Sequence, residues 1–417
     1  MFDLVDSLKK SKKSEIQVEQ EKIGTVLFYQ TDECKKLVEE AYRFEGIAPP
    51  TVSKNTKDDI TEYVRKSEIE IVIVELNNSS DVSKEAEFIS HLLPNHASVI
   101  VIGSEDAIST IRNLKAMGFY YLFWPITKQE LIDFVRSVND NRKRNSNRGP
   151  GQNRRAKYIS VIGAKGGVGA TFICAELAYL LSAHKKSSCL VVDQNYNTGD
   201  LDIMMGIRDY ERRRVQQGDL ASLDEAFAQS LTFRQNSLLS VLSLTSDNLD
   251  STSLLDYSNA VVDLLASDVN FVLEDCSSSV GFSIESDRFI SQCDCIVLVM
   301  APTVSAVRDT ARMREKIQKI NPSDSLRLIL VMNNSLPKKA QTLSLEDAET
   351  FLKQKIDIEI PYCEQLSFFI LDDKRIAKTT LKPAKSLKEL TSVVLGETKE
   401  EKKPKRSLFS FGSQSSR

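Results

Sequence analysis

Lys165-Gly166-Gly167-Val168-Gly169-Ala170-Thr171 follows the β-prone run Ile159-Ser160-Val161-Ile162. A glycine-rich loop between a strand and a helix is a device for holding phosphate. Its glycines let backbone N–H groups turn toward an anion, and the start of the following helix adds partial positive charge. Here the strand ends at Gly163, the loop reaches Gly169 and Thr171 opens a helix, which is the context that the chemistry requires.

The same strand-then-helix rhythm extends on both sides. Downstream, apolar β-prone runs predict strands over 158–163, 188–193, 238–244, 270–275, 295–301, 326–332 and 356–360, with helices over 171–183, 253–266, 304–320 and 345–355. Upstream, strands are expected over 25–29, 69–75, 98–103 and 120–124. Helices are expected over 35–44, 85–93, 107–117 and 128–138, the last capped by Thr127. Alternation of this kind implies parallel sheets, so the fold class is α/β with two sheet domains. The division expected is a loose lead-in at 1–23, a first domain at 24–138, a basic linker at 139–157, a phosphate-loop domain at 158–396 and a basic tail at 397–417.

The whole chain sets bounds on function. Its 417 residues suggest two or three domains, and 41% apolar with 27% charged residues is a globular balance. A formal charge of -3 gives no electrostatic case for coating nucleic acid. No run of about 18 apolar residues is present, and the charged start Met1-Phe2-Asp3-Leu4 is not a secretory signal. Cysteines at 34, 174, 189, 276, 293, 295 and 363 lack paired metal spacing and read as buried free thiols of a reducing compartment. A cytoplasmic location is expected.

The loop resembles the deviant phosphate loop of the MinD/ParA ATPases. The resemblance continues through Leu190-Val191-Val192-Asp193, similar to the family's second strand, and Gly199-Asp200-Leu201-Asp202, similar to its switch I. Phe271-Val272-Leu273-Glu274-Asp275 resembles a Walker B strand, and Asn333 fits an asparagine that contacts adenine. The resemblance implies ATP and Mg²⁺ as cofactors. Residues Lys165, Gly166, Gly167, Val168, Gly169, Ala170, Thr171 and Asn333 would hold the nucleotide, and Thr171 and Asp275 the metal through water. It also implies a homodimer in which Lys165 reaches the nucleotide of the other subunit.

Two positions break the family pattern. Ala170 stands where the phosphate-loop lysine belongs, removing the charge that reaches the β- and γ-phosphates. Asn195 stands where an aspartate orients the attacking water; an amide can hold that water but cannot take its proton. Asp193 and Asp200 remain as catalytic candidates, with helix capping as the plainer role of Asp200 and Asp202. At most a weak ATPase is expected.

Residues 24–138 resemble a response-regulator receiver domain whose chemistry has been lost. Gln30-Thr31-Asp32 replaces the acid pair, Glu75 replaces the phosphoacceptor aspartate, and Trp124-Pro125 has tryptophan where lysine belongs, while Ser104 fits the hydroxyl position. A receiver-like domain joined to a MinD/ParA-like domain resembles the TadZ/CpaE proteins of tight-adherence (Flp-type) pilus assembly. That resemblance implies a localisation scaffold at the inner membrane face or cell pole, working with the pilus secretion ATPase and inner-membrane assembly proteins. The alternative is an active MinD-like ATPase switch that controls positioning. Arg142, Lys143, Arg144, Arg148, Arg154 and Arg155, and the tail residues Lys402, Lys403, Lys405 and Arg406, allow a peripheral membrane contact, although a solvated linker and tail is the plainer reading.

Overall fold

The computed structural model describes residues 23–64, 69–146, 155–196, 198–208, 210–277, 292–320 and 326–397. The expected lead-in (but for Ile23), the middle of the basic linker and the tail beyond Glu397 lie outside the described residues.

The first unit runs β1 (Thr25–Tyr29), α1 (Asp32–Phe44), β2 (Thr51–Lys54), α2 (Lys57–Val64), β3 (Ile71–Glu75), α3 (Val82–Ser90), β4 (Ser98–Gly103), α4 (Ile108–Ala116), β5 (Tyr120–Phe123) and α5 (Lys128–Ser146). Its five strands are parallel in the order β2-β1-β3-β4-β5. Alternation of side chains divides each strand between two apolar layers. Leu27, Ile73 and Ile100 pack with Val38, Leu131 and Val135 of α1 and α5, whereas Phe28, Val72 and Val101 pack with Ile60, Ala86 and Leu114 of α2, α3 and α4. Strand β2 and helix α2 were not foreseen. Strand β2 is an edge strand without a buried residue, so it lacks the apolar run that marks its neighbours. Helix α5 also runs to Ser146, past the expected end at 138, with Asn139 buried.

The second unit begins with β6 (Lys157–Gly163), α6 (Ala170–Tyr179) and a π-helical turn over Leu180–His184. It continues through β7 (Cys189–Asp193), α7 (Leu201–Met205), β8 (Arg213–Arg214), α8 (Glu225–Ser230), β9 (Thr232–Asn236), β10 (Leu239–Thr245), α9 (Ser251–Leu265) and β11 (Phe271–Cys276). Then come β12 (Cys295–Met300), α10 (Val304–Ile320), β13 (Arg327–Asn333), α11 (Leu345–Leu352), β14 (Ile358–Ile360), α12 (Leu366–Leu371) and α13 (Lys382–Val394). The sheet order is β14-β13-β12-β6-β11-β7-β10-β8, with β9 antiparallel to β10. The remaining pairings are parallel, so the carboxyl ends of the strands share one edge. In open sheets of this kind that edge is where ligands bind.

The first unit docks at the opposite edge. Asn270, just before β11, donates from Nδ2 to the Leu93 carbonyl at 2.9 Å and accepts the Ser188 N–H on Oδ1 at 2.9 Å. Asn95 donates to the Val269 carbonyl, and the His91 ring lies 5.4 Å from that of Phe271. Thus one end of β11 carries a contact between the units and its other end carries Asp275.

A buried ion pair locks the end of the chain to the loop helix. Glu176 of α6 lies 3.7 Å from Arg375 and accepts the Ala377 N–H at 2.9 Å, while Arg375 donates to the Met204 carbonyl at 2.6 Å. Burial raises the Glu176 pKa, and the adjacent guanidinium works against that rise. Removing one partner of a buried pair leaves an uncompensated charge. Arg375→Ala is expected to lower stability by about 3 kcal/mol, read from denaturant unfolding. A loss under about 1 kcal/mol would show that the pair is not structurally required.

Candidate functional site

The loop between β6 and α6 takes its shape from two left-handed residues, Gly167 at φ 81° and Gly169 at φ 91°. A side chain is strained in that region, which is why glycines occupy both positions. Gly169 is also the residue preceding the first turn of α6, and no side chain caps that turn. The first N–H groups of the helix are therefore left for another acceptor. Ala170 is buried at the first helical position, Val168 is buried beneath the loop, and Gly166 and Lys165 are exposed. The Lys165 ammonium points across the surface to the Ser305 hydroxyl at 3.4 Å, at the start of α10.

Asn333, at the end of β13, is buried beside this loop and donates from Nδ2 to the Val168 carbonyl at 2.8 Å. A Cβ on Gly169 would collide with that amide. The side chain thus braces the loop, a task that the sequence reading did not assign to it.

The carboxylates lie on neighbouring strands. Asp193 ends β7, Asp275 lies near the end of β11, and the parallel register makes the two direct partners. Asp193 is 3% exposed and Asp275 1%. Asp193 is fully engaged: its Oδ1 accepts the Asn195 N–H at 2.9 Å, and its Oδ2 accepts the Ser243 hydroxyl at 3.0 Å and Arg212 Nη2 at 3.3 Å. Asp275 accepts the Ser277 N–H on Oδ1 at 3.2 Å, while its Oδ2 is buried without a partner. Burial, then the charge of Asp193, pushes Asp275 up to about 7, with the nearby Thr171 hydroxyl acting in the opposite sense. Burial also raises Asp193.

An orphaned carboxylate oxygen beside a threonine hydroxyl at the start of α6 suits a hard divalent cation such as Mg²⁺. Among the described residues no cluster of three or more His, Cys, Asp or Glu could hold a metal alone. A bound ion would therefore need oxygens from Thr171 and from phosphate as well. Such a metal would neutralise developing phosphate charge; Asp275 and Thr171 are the residues that would hold it.

Asn195 and Asp200 lie in the segment after β7. Asn195 accepts the Thr198 N–H at 3.3 Å on its Oδ1, so its backbone N–H and its side-chain oxygen shape this turn. Asp200 precedes α7, is exposed and makes no side-chain capping bond; Asp202 lies in the first turn. The structure therefore brings Thr171, Asp193 and Asp275 together and leaves Asp200 at the surface. Arg212 and Ser243 escaped the sequence reading. The only signal for the former was the run Arg212-Arg213-Arg214, which reads as a solvated patch.

In the first unit, Glu75 is fully buried and saturated. Its Oε2 accepts the Gln30 and Thr31 N–H groups at 2.7 and 2.8 Å, and its Oε1 accepts the Thr31 hydroxyl at 2.6 Å and Asn77 at 2.9 Å. Ser104 and Asp32 are exposed, and Trp124 packs against the α1–α5 layer.

A pH dependence follows from Asp275. An acid that ionises near 4 in the unfolded chain and near 7 in the fold binds an extra proton between those values when folded. Its stabilising contribution is full below the unfolded pKa and is lost as pH rises through about 7. Urea midpoints of the nucleotide-free protein are expected to fall from about pH 4 to about pH 7 and to level off above that, and Asp275→Asn to flatten that fall. Parallel pH profiles for the two proteins would contradict it.

No protein-family model matches the chain. Curated relatives do. An uncharacterized ATP-binding protein of Methanocaldococcus jannaschii is 24% identical over 213 residues, covering 50% of this chain and 75% of the relative. The septum site-determining protein MinD of Escherichia coli K12 is 28% identical over 217 residues, covering 49% and 78%, and that of Helicobacter pylori is 25% identical over 268 residues, covering 61% and 97%. Among solved structures, Pyrococcus furiosus MinD aligns at a TM-score of 0.45 and 20% identity over 58% of this chain and all of that one. Pyrococcus horikoshii MinD, solved with Mg-ADP, aligns at 0.45 and 18% over 57% and 96%. Over about half of its length the chain is similar in sequence to MinD proteins, and its own fold is of the α/β class with parallel sheets.

Proposed function

We propose that the chain is a Mg-ATP-binding localisation scaffold that dimerises through its phosphate-loop face, turns nucleotide over slowly or not at all, and serves tight-adherence (Flp-type) pilus assembly. The observation that carries this reading is the combination at one edge of the sheet. A glycine loop with free helical N–H groups and an orphaned Asp275 oxygen favour binding, whereas Ala170 and Asn195 remove the parts that drive phosphoryl transfer. ATP is held by residues 165 to 171, with Asn333 bracing the loop through the Val168 carbonyl. Mg²⁺ is held by Thr171 and, through water, Asp275. Lys165 reaches across to the nucleotide of a second subunit, a role supported by its exposure and by its turning away from its own loop toward Ser305.

The pilus role rests on the joining of two such units. The first has the five-stranded parallel order of a receiver domain, and its phosphoacceptor position is a glutamate closed off by four hydrogen bonds. A saturated buried carboxylate is a poor nucleophile and leaves little for a metal, so this unit acts as a docking part toward the pilus secretion ATPase and inner-membrane assembly proteins. Among the described residues no helix is long and apolar enough to cross a membrane. The attachment proposed at the inner membrane face or pole is peripheral. The MinD relatives favour a second reading, an active positioning switch.

Light scattering and phosphate release measured together distinguish the two. The scaffold reading expects Mg-ATP to convert the wild type to dimers with turnover below about 0.01 per second, on the scale of unassisted P-loop hydrolysis. Lys165→Ala should remain monomeric. A wild-type mass unchanged by Mg-ATP overturns the scaffold, and faster turnover abolished by Asp275→Ala favours the switch.

A further inference from the structure

Arg212 has no place in the readings above, yet it sits at the centre of the carboxylate site. Its Nη2 lies 3.3 Å from Asp193 Oδ2 and 3.1 Å from the Gly199 carbonyl, with Asp193 almost wholly buried and Arg212 itself one-fifth exposed. Its Nη1 is buried without a partner, so the contacts to Asp193 and Gly199 fix the guanidinium. The fit is close: a Cβ on Gly199 would stand 2.5 Å from both Arg212 Nη2 and Asp193 Oδ2. Gly199 is therefore glycine because an ion pair occupies the space that its side chain would need.

The charge balance makes this contact important. Two buried carboxylates on adjacent strands repel each other, and an anion-binding site built around them needs a compensating cation. The phosphate loop has Ala170 where such a cation would stand, and its one lysine turns outward to Ser305. Among the described residues, Arg212 is the cation ion-paired with Asp193 of this carboxylate pair.

Strand order decides what Arg212 can reach. It directly precedes β8, the edge strand beyond β10, so it approaches Asp193 from the side away from β6 and the loop. Strands lie about 4.8 Å apart, and four spacings, about 19 Å, separate β8 from β6. Arg212 is thus a holder of Asp193 and of the switch segment, not a phosphate contact.

We propose that Arg212 is the relocated cation of this site, a positioning residue that clamps Asp193 to the Gly199 carbonyl and thereby fixes the metal-facing carboxylates and the switch segment for a metal-bound nucleotide. The proposal rests on the nucleotide reading above. It makes the effect of Arg212 specific to the metal: nucleotide held by loop amides does not need it, and metal held beside Asp193 does.

The test uses the full chain and mant-ADP, titrated in EDTA and again in Mg²⁺. In the wild type, Mg²⁺ tightens binding. In Arg212→Gln, that Mg²⁺ enhancement is expected to fall by about tenfold while affinity in EDTA stays within about twofold. Gly199→Ala, which displaces the clamp from the other side, should repeat the result, and Arg212→Lys should restore part of the enhancement. If Arg212→Gln does not fold, Gly199→Ala and Arg212→Lys carry the comparison. Equal losses in EDTA and Mg²⁺ would reduce Arg212 to packing, and an unchanged or larger enhancement would make it a competitor of the metal; either overturns the proposal alone. A wild type that binds mant-ADP in neither buffer overturns both this proposal and the nucleotide reading.

Discussion

Two carboxylates forced side by side by a parallel register organise the phosphate-loop unit. The pairing of β7 with β11 puts Asp193 next to Asp275 at the edge where a sheet of this class holds ligands. Buried like charges are unfavourable unless something answers them. The surroundings supply partial answers: Ser243, Asn195 and Arg212 saturate Asp193, while Ser277 and the neighbouring Thr171 hydroxyl ease Asp275 but leave one oxygen open. The open oxygen gives the site its use. A fully satisfied pair would be a structural tie; a half-satisfied one leaves an acceptor for a further positive charge.

The rest of the unit keeps this edge in place. Asn333 props the loop, and two left-handed glycines aim its amides. The Glu176–Arg375 pair joins the loop helix to the end of α7 through the Met204 carbonyl. A change in the segment that follows Asp193 is therefore felt by α6 through a buried charge. At the other edge, Asn270 and Phe271 tie β11 to the first unit. One strand thus meets the carboxylate site at one end and the first unit at the other.

Much of this could be read in the sequence because it is local. Buried strands such as Ile71–Glu75 and Cys295–Met300 are runs of β-branched and apolar residues, and the loop announces itself through its glycines. Where the signal is not local, the reading fell short. Thr51–Lys54 is an exposed edge strand held by a single neighbour, and α5 persists through a polar stretch where composition suggested a linker. The clamp on Asp193 was invisible for a sharper reason. Arg212 meets its partner 19 residues upstream only because β10 and β8 fold beyond β7, and no spacing rule encodes that. The same holds for Glu75, whose place at the end of a buried strand was readable but whose closure by the Gln30 and Thr31 amides was not.

The central claim is that a phosphate loop without its lysine still binds Mg-ATP, through backbone amides, Thr171 and the open oxygen of Asp275. Calorimetric titration of the full chain with ATP, in Mg²⁺ and after Asp275→Asn, tests it most directly. The account predicts saturable binding of one nucleotide per chain in Mg²⁺, weakened by about tenfold or more in the variant, as expected for loss of a charged ligand to a bound metal. No saturable binding by the wild type, or binding that Asp275→Asn leaves unchanged, would contradict it.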